Sequence, residues 1–276
     1  MHKIVFKKDL NSEDYLIQVK APLVAKKWKA GQFVVVRLHE KGERIPMSVQ
    51  KVEGKTIFML FKKLGKTSHE LYSYKIGNTI RDVIGPMGNP IELKKYGNLV
   101  VGSDLVCGHA ENYAISSALG KIGNHVISIQ GFPTKDMVYL KEDLKSVTDE
   151  YYITTEDGSY GRKGLYTDVL KELLEKGNVD MIFAGGSFHE LKKVANITKS
   201  YNVPAMVTLR TLMVDATGMC GSCRVFIDGE MKLACIDGPM FDAHKVDFDE
   251  VMNRNKMFKE EESLAFKRYK QQEVME

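Results

Sequence analysis

The feature that most constrains the fold is a change of rhythm near Tyr96. Before it, short β-prone runs alternate with turns: Ile4 to Phe6, Tyr15 to Val19, Phe33 to Leu38, Met47 to Val52, Thr56 to Leu60 and Thr79 to Val83. Glycine or charged turn residues separate them, and no helical period runs through most of the region. Strands at such spacing predict a small antiparallel barrel or sandwich. After Tyr96 the order becomes strand, loop, helix, strand. Leu99 to Val101 is a short apolar run, Glu111 to Leu119 reads as a helix, Val126 to Ile129 is again β-branched, and Leu165 to Leu174 repeats with helical spacing. Met181 to Ala184 then leads into Gly185-Gly186 and another helix. That alternation predicts an α/β domain, a parallel sheet with helices on its faces, whose ligands bind at the carboxyl ends of the strands.

A third pattern follows Val207. Three of the four cysteines fall within Cys220 to Cys235, in the segment Asp215-Ala-Thr-Gly-Met-Cys220-Gly-Ser-Cys223 and, after eleven intervening residues, Cys235. Such clustering in a chain of 276 residues points to ligands or redox groups, and to a reducing compartment, rather than to a secreted disulfide frame. The spacing matches the plant-type [2Fe-2S] frame C-x4-C-x2-C with a distant fourth cysteine, except that Asp215 stands first. Asp215, Cys220, Cys223 and Cys235 are therefore the candidate metal ligands. Gly218 and Gly221 suit a loop that bends tightly and turns N–H groups toward sulfur. A zinc site remains open, because C-x2-C is also a zinc half-site and an Asp oxygen can coordinate zinc. So does a redox C-x-x-C, although Cys220 does not open a helix after a first strand. Cys107 lies in the sheet region and reads as a buried structural thiol.

Composition limits the function classes. Apolar residues make up 43% and charged residues 28%, ordinary for a globular protein, and the length suits two domains plus an appended element. The net charge of +4 comes from 40 basic and 36 acidic side chains mixed along the chain, which argues against nucleic acid as a partner. No apolar stretch has the length of a signal peptide or membrane span, so a cytoplasmic protein with no membrane partner is expected.

Arg44-Ile45-Pro46-Met47-Ser48 opens a strand, and Gly65-Lys66-Thr67-Ser68 follows the next strand pair. An Arg can neutralise a pyrophosphate, a Ser hydroxyl can bond a flavin ring nitrogen, and a Gly-Lys-Thr turn offers N–H groups to phosphate. Together with Gly85-Pro86-Met87-Gly88 these segments resemble the ferredoxin-NADP reductase superfamily. With the cysteine segment added, the chain resembles the small subunits of NADH-dependent ferredoxin:NADP oxidoreductase, also called sulfide dehydrogenase, and is similar to electron-transfer subunits of dihydroorotate dehydrogenase. The match runs over about residues 1 to 245 and is most specific at Arg44 to Ser48, Asp157 to Gly164 and Asp215 to Cys235.

The resemblance implies a FAD-binding β-barrel domain over 1–95, an NAD(P)-binding-like α/β domain over 96–208, a [2Fe-2S] segment over 209–245 and a tail over 246–276. It implies FAD contacts at Arg44, Pro46, Met47, Ser48, Gly65, Lys66 and Thr67, with Met47 where many members place an aromatic. It also implies a larger flavin and [4Fe-4S] subunit in a heterodimer or higher complex, with ferredoxin as a partner of that complex and electron bifurcation at the larger subunit. No side-chain acid or base is expected. The rival classes are a stand-alone NAD(P)H-dependent flavin reductase and a zinc-stabilised binding or regulatory protein.

The nucleotide region departs from the family pattern. Asp104-Leu105-Val106-Cys107-Gly108 stands where a G-G-G-x-G loop is usual, Gly131-Phe132-Pro133-Thr134 lacks a cation, and Gly185-Gly186-Ser187 lacks a proline. Weak or absent binding of NAD and NADP is expected, with Gly108, Gly158 and Ser159 as the candidate cleft residues. The tail carries scattered apolar side chains and is expected to dock on the larger partner.

Overall fold

A computed structural model describes residues 1–275, with side chains described to residue 271. The first domain is one antiparallel sheet of β1 (His2–Asp9), β2 (Asp14–Lys20), β3 (Phe33–Arg37), β4 (Ile45–Glu53), β5 (Thr56–Lys62), β6 (Thr79–Ile80) and β7 (Asp82–Met87). Its strand order is β6-β1-β2-β5-β4-β3-β7. The two edge strands, β6 and β7, are separated in the chain by Arg81 alone, so the sheet must curl until its edges adjoin, as a barrel does. The expected run Thr79 to Val83 is thus two strands, broken where the chain steps from one edge to the other. Two short helices, α1 (Pro22–Lys27) and α2 (Lys66–Ser73), were not expected; the Gly65-Lys66-Thr67 turn is the start of α2.

Alternation along β2 and β5 explains how the barrel meets its neighbour. Tyr15, Ile17, Val19, Ile57, Met59 and Phe61 fill the barrel core. Leu16, Phe58 and Leu60 point the other way and pack with Val106, Phe132 and Ile153 of the second domain. Successive strand side chains face opposite sides of a sheet, so a strand buried on both faces reads as a continuous apolar run.

The second sheet contains β8 (Asn98–Ser103), β9 (His125–Phe132), β10 (Glu150–Thr155), β11 (Arg162–Lys163), β12 (Met181–Gly185) and β13 (Ala205–Thr208), which pair with one another in parallel. The helices α3 (Val106–Gly120), α4 (Lys141–Lys145), α5 (Tyr166–Lys176) and α6 (Phe188–Ser200) connect them. The hairpin of β14 (Arg224–Ile227) and β15 (Glu230–Leu233) precedes β16 (Met240–Asp242), which returns antiparallel to β13. The order β11-β10-β9-β8-β12-β13-β16 reverses direction between β8 and β12. Sheets of this type bind ligands in the crevice outside the strand ends at such a reversal.

Helix α3 begins at Val106, five residues earlier than the apolar pattern suggested, so Val106 to Gly108 form its first turn rather than a loop. Within α3 His109 is buried, shares a hydrogen bond with Ser103 Oγ at 2.9 Å, and packs on Phe132 with ring centroids 4.5 Å apart. Burial, helped by the Arg210 charge, pushes its pKa down to about 3.

The tail forms α7 (Phe248–Arg254) and α8 (Lys259–Met275). Phe248 and Val251 belong to the core of the second domain, so the integral part of the fold runs past residue 246. Phe266 of α8 lies against His69 of α2, centroids 4.5 Å apart. Among the described residues no helix is long and apolar enough to cross a membrane.

Candidate functional site at the domain seam

Strand β4 carries Pro46, Met47 and Ser48 to a cavity of about 170 Å³ between the barrel and the sheet. The opposite wall comes from Cys107 and Glu111 of α3 and from the segment leaving β13, including Arg210, Thr211 and Met213. Ser48 Oγ donates to Glu111 Oε1 at 2.6 Å across the seam. Burial raises the Glu111 pKa, and the neighbouring Arg210 guanidinium opposes that rise.

Among the described residues, three buried side-chain atoms of the residues lining this cavity have no hydrogen-bond partner: Glu111 Oε2, Arg210 Nε and Thr211 Oγ1. Buried polar atoms are rarely left unpaired, because each costs the desolvation penalty outright. Unpaired donors and an acceptor on the residues lining one apolar-walled space fit an aromatic group with a hydrogen-bonding edge, such as a flavin ring. Sequence reasoning missed Glu111, Arg210 and Thr211. A Glu inside the otherwise apolar or small-residue face of α3 was the available signal.

Of the other expected flavin residues, Arg44 is exposed just before β4, and Gly65, Lys66 and Thr67 lie at the N-terminus of α2. They do not line the cavity, but Thr67 Oγ1 donates to Glu43, beside Arg44, so the two segments adjoin. An arginine beside a helix N-terminus, where N–H groups are unpaired, suits a phosphate outside the ring cavity.

The cysteine loop starts two residues beyond Met213. Cys223 and Cys235 are buried with their sulfurs 3.3 Å apart, whereas Cys220 is exposed. Asp215 accepts the N–H groups of Thr217 and of Cys220, both at 2.9 Å. The bond from Thr217, with that from Cys220, holds the Asp215 carboxyl below the usual carboxylate range. Burial and the hydrogen bond from Cys223 push the Cys235 thiol up to about 12, so metal binding there must displace a proton. Gly218 has φ +83, and a Cβ on it would lie 2.8 Å from Ile236, so only glycine fits this bend. Among the described residues no three Asp, Glu, His or Cys side chains converge on one point. The Cys223–Cys235 pair suits a cluster that spreads its donors over two irons.

The candidate nucleotide residues are scattered. Gly108 sits where a Cβ would strike the Gly185 carbonyl, so it lets α3 pack against β12. Gly158 and Ser159 lie in the turn after β10, where Ser159 Oγ donates to Asp157 at 2.6 Å and accepts Lys135 N–H at 2.8 Å. They line none of the reversal cleft between β8 and β12.

A barrel against a parallel sheet, with a cysteine loop leading off the shared cavity, defines an oxidoreductase electron-transfer protein of the ferredoxin-NADP reductase fold. Residues 210–247 match the model for the iron–sulfur cluster binding domain of dihydroorotate dehydrogenase B. A dihydroorotate dehydrogenase B (NAD(+)) electron transfer subunit homolog of Thermotoga maritima is 40% identical over 272 residues, 98% of this chain and 95% of that protein. The chain therefore belongs to the family of dihydroorotate dehydrogenase B electron-transfer subunits and their homologues. A chain of NADH-dependent reduced ferredoxin-NADP oxidoreductase, solved to study flavin-based electron bifurcation, superimposes with TM-score 0.92 at 38% identity and covers 98% of both chains. A ferredoxin NADP+ reductase from Neisseria gonorrhoeae shares the fold, with TM-score 0.61 at 16% identity over 72% of this chain and 90% of that one. As an electron-transfer subunit, the chain works with a larger partner.

Proposed function

We propose that this subunit holds FAD at the seam and a [2Fe-2S] cluster in the loop after it, and relays electrons between them and a larger flavin and [4Fe-4S] subunit. Ferredoxin then reacts with the complex rather than with this chain. The observation that carries the reading is continuity: Met213 lines the cavity that begins at Ser48, and Asp215 opens the cysteine loop two residues later. When bound, the flavin and cluster supply the one- and two-electron chemistry, and the protein supplies placement and electrostatics.

Each residue then has a defined task. Pro46 and Met47 wall the ring cavity, while Ser48, Glu111, Arg210 and Thr211 offer it hydrogen-bonding groups. Arg44 and the α2 N-terminus at Gly65, Lys66 and Thr67 neutralise phosphate. Cys223 and Cys235 supply one thiolate pair; Cys220 and Asp215 supply the other thiolate and a carboxylate. Protein purified without oxygen should carry FAD with iron and acid-labile sulfide at roughly two each per chain. Stoichiometric zinc in place of iron would overturn the cluster assignment.

Asp215 has the sharpest test. A carboxylate is a harder donor than a thiolate and is neutralised by protonation, so its replacement must alter the electronics of the iron it binds. Asp215→Cys should keep the iron and sulfide content and shift the reduction potential, whereas Asp215→Ala should lose cluster. Unchanged spectrum and potential in Asp215→Ala would show that the carboxylate only closes the loop.

A further inference from the structure

Two spaces meet at the reversal of the parallel sheet. One is the cavity of about 170 Å³ that begins at Ser48. The other is a cleft of about 520 Å³ beyond the ends of β8 and β12, roofed by α7 and the residues after it. Among the described residues a single one, Arg210, lines both. Its Nη2 donates to the Gly186 carbonyl, in the turn after β12, and its Nη1 contacts Cys107 Sγ, in the first turn of α3. Asp104, in the loop after β8, accepts the Ser187 N–H at 2.7 Å and so ties the same two loops together. The guanidinium also faces the carboxylates of Asp104 and Glu111. Swinging it out would strand buried negative charge, which is strongly unfavourable.

We propose that Arg210 is a specificity-determining partition, which separates a nucleotide in the cleft from the flavin and so bars hydride exchange between this subunit and NAD(P)H. This inference rests on the flavin reading above. Hydride transfer moves a proton and two electrons together, from the nicotinamide carbon to the ring it faces, and needs the reacting atoms about 3–3.5 Å apart. A guanidinium anchored to both loops is, among the described residues, the one side chain common to the two linings. Electron transfer to the cluster, which leaves from the Met213 side, does not cross that partition. The departure from glycine at Asp104 thereby acquires a role: Asp104 balances the charge of the partition, which Cys107 seats.

The test uses the flavin-loaded protein and compares wild type with Arg210→Ala, which opens the boundary, and Arg210→Met, which keeps its bulk without its charge. Iron content and a wild-type melting transition certify that each variant is folded, and each titration is read against the flavin-loaded fraction of that variant. With oxidised NAD as a non-reacting probe, the flavin absorbance should stay unchanged in wild type and Arg210→Met and be perturbed in Arg210→Ala. With NADH or NADPH under anaerobic conditions, bleaching of the flavin should rise on the order of a hundredfold in Arg210→Ala alone. Rapid bleaching of the wild-type flavin, or an Arg210→Ala protein as inert as wild type, would overturn the partition. A wild-type protein that binds no flavin would instead refute the reading beneath it.

Discussion

Removal of everything after Asp247 should cost the fold about 4 kcal/mol or more, although that segment reads in the sequence as a tail. The cut deletes Phe248 and Val251, which are 5% and 1% exposed and sit in the same core as Val207, Phe241 and the buried side chains of α6. Loss of a buried Phe alone typically costs 3–5 kcal/mol, because the cavity it leaves is only partly refilled. At roughly 2–4 °C per kcal/mol for a chain of this size, the melting temperature should fall by about 10 °C. The cut also removes Arg254, whose Nη2 donates to the Ser222 carbonyl inside the cysteine loop at 3.4 Å. Cluster content should therefore fall with stability. A cut after Phe258, which spares α7, separates the roles: if α8 docks on the larger subunit, that protein keeps its melting temperature and loses only its partner.

Acid should destabilise the protein through His109 at a pH where most exposed groups are indifferent. Its pKa is about 3 when folded, against an ordinary value of 6.5. A depressed folded pKa means that the unfolded chain binds the proton first. The contribution is thus fully present above pH 6.5 and is lost as pH falls toward 3. Each unit is worth about 1.4 kcal/mol, so the loss nears 5 kcal/mol at the acid end and is already about 1 kcal/mol at pH 5.5. Asp104 and Glu111 act in the opposite sense, because burial raises their pKa values and their protonation relieves a buried charge. The comparison must therefore be with His109→Asn, in urea unfolding at pH 7.0 and 5.5. A variant with the same pH slope as wild type would rule this histidine out.

The barrel and the parallel sheet were legible because their signals are local. Runs such as Phe33 to Leu38 and Leu165 to Leu174 carry their own period, and the Asp215 to Cys235 frame carries its own chemistry. What the sequence hid depends on distance along the chain. The Ser48–Glu111 bond joins residues 63 positions apart, and the Arg210–Cys107 contact joins residues 103 apart. No window of sequence contains both partners. Helix α8 was hidden for another reason: it carries charge all round and lacks an apolar stripe, so no period announces it. Helix α7 is short, and its buried Phe248 and Val251 resemble scattered apolar residues until the core they complete is known.

Strand β16 returns beside β13. Thr208 and Met240 are paired neighbours, and Leu209 N–H bonds to the Pro239 carbonyl at 2.8 Å, so the whole cysteine segment leaves and re-enters through one rivet on the sheet margin. A redox centre carried on a flexible leash can shuttle between donor and acceptor, and its turnover is set by how fast the leash swings. A centre riveted at both ends cannot commute. On the proposed function, any exchange beyond this subunit waits for the other protein to arrive and align, so mutations that lengthen the segment should leave the reaction rate unchanged while the rivet holds.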